Sequence, residues 1–576
     1  MFAALRLILP CYLKRDEVSA MSQLLRLAQI RQIERNRLAN LPAGTLMTRA
    51  AAAVAAHASQ LAASMQAPVR ILILAGPGNN GADALLAGLM LSEQGFLVQA
   101  LCHTLVQSSR HAPRPVAAAN AESDTDTDTD TDVDTDTDAD ADAHADVAMS
   151  DPTESERVLA AFVRSVGPHA SLSDLDRFLS LAAPAPSALH GSFGWASTLV
   201  IDGLLGIGQR AAVTGVMHDA IVTVNTSGLP IIAVDVPTGV DSDTGALFPA
   251  ADGNAGAAIR AQCTVTMIAD KPGLRTGAAL DYCGQVIVAD LGLGQTMPMP
   301  CATAESGELF DASMAGRMLK PRLANSHKGS HGSVLIIGGA AGMTGAALLA
   351  ASGAQAGGAG KVFIATQQPI HLAAHQAQWL TQLWPASSDV ADAIAIGCGL
   401  GSSAAANEQL ASVLRRNVAM VLDADALNTI AQQQQLQRPN NTITVLTPHP
   451  LEAARLLGET VMRVQADRVG AARRLAQRYA ATIVLKGAGS VCADPYGNWS
   501  INSSGAPSLA SAGTGDVLAG LIAALLAQRH PAWDAVRLAV WAHGLAGERL
   551  QRNLPMASGL SASELFEPIR TILNGR

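Results

Sequence analysis

Val69-Arg70-Ile71-Leu72-Ile73-Leu74-Ala75-Gly76-Pro77-Gly78-Asn79-Asn80-Gly81-Ala82-Asp83 is the stretch on which the reading of the fold turns. Its apolar run, 69–74, is too short for a buried helix and runs into a Gly-Pro-Gly cluster, so it reads as a buried strand entering a tight turn. From 82 to 92 the apolar spacing is helical. The same order of strand and turn recurs at 198–201 and 230–234, with helix-compatible sequence between them. That alternation predicts a doubly wound parallel sheet. Upstream, 22–36 carries helical spacing in Leu24, Leu25, Leu27, Ile30 and Ile33, and 45–65 is a second, Ala-rich helical stretch.

Around 290–325 the alternation lapses into a Met/Pro/Ala/Ser-rich connection, and it resumes from Ser333 with candidate strands at 334–337, 361–365, 393–396, 418–422, 443–446 and 482–485. A chain of 576 residues exceeds one ordinary core in any case. The expected organisation is an extension at 1–20, a first α/β domain at 21–300 with a disordered acidic insertion at about 105–150, and a second α/β domain at 301–576. Aromatic residues make up 3% of the chain and hydrophobic ones 49%, so small aliphatic side chains must do the packing.

Eleven aspartates stand between Asp124 and Asp146, and without them the formal charge of −9 becomes +2. The body is therefore near neutral, which favours neither nucleic acid nor a membrane as partner. The Thr-Asp tract reads as a solvated loop; calcium chelation is the weaker alternative, because no Gly-hinged loop of the right spacing accompanies it. Seven cysteines are scattered singly, without a CxxC pair. A reduced cytosol without structural zinc is expected. The opening 1–13 is apolar but interrupted by Arg6 and lacks a cleavage site, so it reads as a frayed extension. Residues 334–360 carry no charge, yet eight glycines break that run into a strand, a loop and a helix rather than a membrane span.

Three motifs of the first half lie at strand ends. In Gly76–Asp83 the glycines let backbone N–H groups approach phosphate oxygens, and the asparagines offer carbonyl oxygens to a cation or amide contacts to a ligand. Asp202 in Asp202-Gly203-Leu204-Leu205-Gly206-Ile207-Gly208, and Asp235 in Asp235-Val236-Pro237-Thr238-Gly239, should converge with them, since ligands of open α/β sheets bind beyond the carboxyl ends of the strands. Either Asp alone serves equally well as a helix cap.

With those residues in view, 21–290 resembles the epimerase domain of the NAD(P)H-hydrate repair family, with a Rossmann-like doubly wound fold. The resemblance implies that Asn80, Asp202 and Thr238 hold a potassium ion. It also implies that Asn79, Asn80, Gly81, Ala82, Asp83, Gly206, Ile207, Gly208, Gln209 and Asp235 lie against the hydrated dinucleotide, and Asp202 is the candidate acid/base. The family usually has Gly at 82 and 84 and Ser at 238, where this chain has Ala82, Ala84 and Thr238.

In the second half, Gly513-Thr514-Gly515-Asp516 opens a helix apolar enough to be buried. An anion cradle beside a carboxylate is what phosphoryl transfer to a hydroxyl needs. It is accompanied by Lys486-Gly487-Ala488-Gly489-Ser490, by Thr447-Pro448-His449-Pro450-Leu451-Glu452, by Asp423-Ala424-Asp425, and by Gly338-Gly339 with Gly342-Met343-Thr344-Gly345. Lys486 suits a phosphate, and the glycines after it admit a nucleotide. His449 alone reads as a turn histidine. Asp423 and Asp425 are loop acids or position Mg²⁺ through water.

Together these resemble the ribokinase-like dehydratase of the same family, over 327–576. The resemblance implies that Ala346, Gly399, His449 and Asp516 contact the hydrate. It implies that Lys486, Gly487, Ala488, Gly489, Ser490 and Gly515 contact the nucleotide, with Asp516 catalytic, ADP as co-substrate and Mg²⁺ as cofactor. Leu451 replaces the family's usual Gly and Ser490 its usual Thr. The expected partners are small molecules, with a homo-oligomer as the expected assembly. An ATP-dependent vitamin-precursor kinase is the nearest rival and leaves the first domain unexplained. A non-catalytic first domain is the rival of another class.

Overall fold

The computed structural model describes residues 23–103, 153–180, 197–293 and 307–575, apart from 168, 374–375, 377, 386–388, 390, 434–435 and 555. The extension at 1–20 and the acidic insertion at 105–150 lie outside the described residues.

Strand β1 (Gln23–Leu24) opens the described chain. The first sheet is built from β2 (Val69–Ala75), β3 (Leu97–Cys102), β4 (Ala170–Ser171), β5 (Ser197–Gly203), β6 (Ile231–Val234), β7 (Cys263–Met267) and β8 (Gln285–Ala289), in the order β4-β3-β2-β5-β6-β7-β8. Every pairing is parallel. The order reverses at β2, which pairs with β3 on one side and β5 on the other. Alternate residues of β2 feed opposite layers: Ile71 and Ile73 join one core, Leu72 and Leu74 the other. Helices on both faces follow from that double burial.

The second sheet comprises β9 (Gly307–Phe310), β10 (Ser333–Ile337), β11 (Lys361–Thr366), β12 (Leu380–Leu383), β13 (Ala393–Ile396), β14 (Ala419–Leu422), β15 (Thr444–Leu446), β16 (Thr482–Leu485), β17 (Val491–Ala493) and β18 (Trp499–Asn502), with β1 at its edge. The order is β1-β9-β18-β17-β16-β15-β14-β13-β10-β11-β12. From β16 to β12 the neighbours are parallel, whereas β17 pairs antiparallel on both sides. In β10, Val334 and Ile336 enter one core, Leu335 and Ile337 the other.

Every strand expected from an apolar run is present, and the uncharged 334–360 run is β10, a turn and the helix Thr344–Ala356. Among the described residues no helix is long and apolar enough to cross a membrane. Two expectations are corrected. The helix expected over 22–36 begins only at Leu27, because Gln23 and Leu24 pair antiparallel with β9. The Asp243 carboxylate then takes the Leu27 N–H (2.7 Å), one of the donors that a helix start leaves without a partner. The helix expected from 82 begins at Asn79, with extended Gly78 before it.

The tightest helix contact joins Thr344–Ala356 to Thr514–Ala527. A Cβ on Gly353 would overlap the Val517 carbonyl, and one on Gly520 the Ala350 carbonyl. This contact fixes the start of the second helix, and with it Gly513–Asp516, over the sheet. Gly520→Ala should therefore cost about 1–3 kcal/mol in stability, read by urea unfolding of the second domain. Unchanged stability would mean that the two helices separate without cost.

Candidate functional site

The first cluster forms where β2, β5 and β6 end side by side. Asp202, the penultimate residue of β5, is fully buried. Its Oδ1 accepts from the Thr238 hydroxyl (2.8 Å) and the Leu204 N–H (3.1 Å), and its Oδ2 from the Thr238 N–H (2.9 Å). Burial raises its carboxyl to about 6, against the pull of those donors. The Asn80 amide donates to the Leu205 carbonyl (3.0 Å), which also stands 3.2 Å from the Thr238 hydroxyl. Asn80, Asp202 and Thr238 are thus brought together through Leu205. Their carbonyl, carboxylate and hydroxyl form the all-oxygen donor set that a hard cation takes, so these residues fit one.

Asn79, Asn80 and Gly81 occupy the first turn of the helix Asn79–Glu93, followed by buried Ala82 and half-buried Asp83. The Ala84 methyl packs on the Gly203 backbone. Gly206, Ile207, Gly208 and Gln209 form the loop after β5. Gly206 lies against the Asn80 side chain, and Gln209 Oε1 accepts the Gly239 N–H (2.9 Å). Asp235, at a left-handed φ of 65°, accepts from Lys271 Nζ (2.7 Å) and the Met267 N–H (3.0 Å). Burial, then the Asp235 charge, raises the nearby Glu34 carboxyl. Lys271 escaped the sequence reading because β7, which precedes it, carries no continuous apolar run.

The second cluster follows one rule: β10, β13, β14, β15 and β16 are parallel neighbours, and Ala346, Gly399, Asp423, His449 and Lys486 follow them in that order. A Cβ on Gly399 would lie 3.2 Å from that of Ala346, so these two adjoin. Lys486 Nζ donates to Asp423 Oδ1 (2.7 Å), and the Thr447 hydroxyl to the same oxygen (2.8 Å). Burial lowers the Lys486 ammonium, but Asp423 and Glu452 outweigh it and leave the group raised. Gly515 faces this pair, since a Cβ there would sit 3.3 Å from Lys486 Nζ.

Asp516 stands in the first turn of Thr514–Ala527, after left-handed Gly513. Burial and then the Asp423 charge raise it to about 6, while the Cys398 thiol and Lys486 pull it down. Ligand atoms of Cys398, Asp423 and Asp516 all lie within 4.8 Å of one another. The two carboxylates fit a hydrated Mg²⁺; the protonated thiol does not, since burial and then Asp516 push it well above its ordinary value. Cys398 was missed by sequence, although it lies between two glycines directly after β13.

His449 is the N-cap of Pro450–Leu457: its Nδ1 accepts from Leu451 N–H (3.1 Å) and Glu452 N–H (3.4 Å). Burial and then Lys486 lower its pKa, so the ring is neutral. Leu451 is exposed, and its amide serves this cap. The Asp425 Oδ2 accepts the Gly401 N–H (2.8 Å) and staples the loop after β13, while its charge adds to that of Asp423 in raising Asp516.

Two strand-end clusters, each with a carboxyl that burial raises to about 6, mark the chain as an enzyme. Residues 43–273 match the family model described as YjeF-related protein N-terminus, and 334–570 that of NAD(P)H-hydrate dehydratase. A bifunctional NAD(P)H-hydrate repair enzyme of Gloeobacter violaceus is 34% identical over 91% of this chain and 92% of its own. One of Vibrio cholerae is 38% identical over 65% of this chain and 75% of its own. An ADP-dependent (S)-NAD(P)H-hydrate dehydratase of Neisseria meningitidis is 41% identical over 45% of this chain and 90% of its own. Among solved structures, the ADP/ATP-dependent NAD(P)H-hydrate dehydratase of Bacillus subtilis covers 46% of this chain and 98% of its own, at 31% identity and a TM-score of 0.43. The chain belongs to the family of bifunctional NAD(P)H-hydrate repair enzymes.

The Lys486–Asp423 pair generates a prediction. Lys486→Met should strand a buried carboxylate and cost about 3 kcal/mol in urea unfolding, and adding Asp423→Leu should recover much of the loss. A double variant no better than the single one would show that the pair contributes little.

Proposed function

We propose that the domain at 21–300 interconverts the two epimers of hydrated NADH and NADPH, and that the domain at 301–576 dehydrates the S epimer with ADP, giving NAD(P)H, AMP and phosphate. Asp516 carries the reading: a carboxyl raised to about 6 at a helix start, beside Lys486, has the pKa and position of a base next to transferring phosphate. The hydrate's hydroxyl is a poor leaving group. Asp516 takes its proton as the oxygen bonds to the terminal phosphorus of ADP and the bond to AMP breaks. The Gly513–Gly515 amides and Lys486 stabilise the transferring group. Loss of phosphate and of the neighbouring ring proton then restores the double bond. Lys486–Ser490 and Gly515 hold the nucleotide; Ala346, Gly399 and His449 line the hydrate side. Mg²⁺, held by Asp423 and Asp516 through water, supplies charge to the phosphates when bound.

In the first domain Asp202 moves the proton in epimerisation, and its raised carboxyl suits exchange near neutral pH. Asn79–Asp83, Gly206–Gln209 and Asp235 hold the dinucleotide. Asn80, Asp202 and Thr238 hold K⁺, which supplies positive charge beside the dinucleotide when bound. Two activities on one chain make both hands of the damaged cofactor repairable.

Asp516→Asn should lower ADP-dependent return of reduced-nicotinamide absorbance by roughly a hundredfold or more, with ADP binding retained. In the wild type the same rate should fall as pH drops through about 6, because the protonated carboxyl cannot accept the hydroxyl proton. Near-normal turnover of the variant, or a rate flat across that range, would remove Asp516 as the base.

A further inference from the structure

The domains meet at the loop Lys486–Ser490, where Thr276 and Gly277 reach Ala488 and Gly489. Arg468 is 1% exposed, and no carboxylate stands within ion-pair distance of it among the described residues. Its Nη2 donates to the Leu485 and Lys486 carbonyls (both 3.2 Å), Nη1 to Gln465 Oε1 (2.7 Å) and Nε to the Thr276 hydroxyl (2.9 Å). Thr276 comes from the first domain and is fully buried. Its hydroxyl donates to the Gly489 carbonyl (2.7 Å), with the Ala488 carbonyl at 3.2 Å, and the Gly277 N–H donates to Ala488 O (3.0 Å). The Gly487 carbonyl is taken by the Ser490 hydroxyl (3.0 Å).

All five successive carbonyls from Leu485 to Gly489 are therefore held, four of them by Arg468 or the first domain. In a planar trans peptide the N–H points opposite to the preceding carbonyl. Pinning the Leu485 carbonyl aims the Lys486 N–H away from Arg468, and it meets the Pro448 carbonyl (2.9 Å). Pinning Lys486, Ala488 and Gly489 likewise aims the N–H groups of Gly487, Gly489 and Ser490 away from the domain contact, as a loop that binds phosphate requires. The approach is close enough that a Cβ on Gly489 would overlap the Arg275 carbonyl. The second glycine of Lys486-Gly487-Ala488-Gly489 thus admits the first domain's backbone, a use that the sequence reading gave to the nucleotide. On its other side this segment is tied to the first domain's own cluster, by Arg275 to Asp270 (2.7 Å) and by Lys271 to Asp235 (2.7 Å).

We propose that the first domain completes the nucleotide site of the second. Thr276, with Arg468, is a positioning residue that holds the 486–490 loop by its carbonyls and so aims its amides at the phosphates of a nucleoside diphosphate. The inference rests on reading 486–490 as the nucleotide loop. Its effect is graded, because neither residue touches the ligand through the contacts described.

The test uses the full chain and three variants, with ADP binding measured by calorimetry and ADP-dependent turnover measured alongside. Thr276→Val keeps the shape and loses the hydroxyl. Its ADP dissociation constant and KM should rise roughly five- to tenfold, with kcat within about twofold and the epimerase rate unchanged. Thr276→Ser should restore wild-type ADP affinity. Arg468→Lys, which keeps the charge and loses the fork, should weaken ADP in the same way as Thr276→Val. If the wild type binds no ADP, the nucleotide reading of 486–490 fails and takes this inference with it. If the wild type binds ADP and Thr276→Val binds it equally well, or Val and Ser weaken it alike, the positioning role alone is overturned.

Discussion

A Cβ on Gly76 would overlap the Leu204 carbonyl, one on Gly338 the Cys398 carbonyl, and one on Gly397 the Asp423 carbonyl, so at both sites strand-end turns touch through bare backbone. That closeness presses water out from around Asp202 and Asp423, both at most 2% exposed, and leaves Asp516 largely enclosed. In such surroundings Asp202 and Asp516 rise to about 6, and charges act on one another at greater strength than in water. A methyl group at these positions would part the turns and let water back to Asp202 and Asp516.

The two acids at about 6 reach that value by different routes. Around Asp202, burial is opposed only by hydrogen-bond donors, two from Thr238 and one from Leu204. Around Asp516, burial is joined by a second carboxylate, Asp423, and opposed by a thiol and an ammonium. The first environment suits a group that takes and returns a proton without further charge changes. The second answers to whatever neutralises Asp423, because that charge helps to raise Asp516.

Much of this was legible in the sequence because both sheets are buried on both faces, which writes their central strands as continuous apolar runs such as 71–75 and 334–337. The site residues follow those strands, so Asp202, Asp235, Asp423 and Lys486 could be found by asking what stands after each run. Strands without such runs escaped: β7 alternates Thr with apolar residues, and β18 carries Ser500 and Asn502 inside the fold. Contacts distant in sequence escaped as well. The pairing of β1 with β9 depends on an edge formed almost 300 residues later. Lys271, Cys398 and Arg468 take their roles from neighbours that only the folded chain supplies.

The division of labour between the two sites is tested most directly by following both hydrate epimers chromatographically, from an equal mixture with excess ADP, in the Asp202→Asn chain. The account predicts rapid loss of one epimer and a stall of the other at the spontaneous rate, relieved when the Asp516→Asn chain is added to supply epimerisation in trans. Rapid loss of both epimers by Asp202→Asn alone would contradict it.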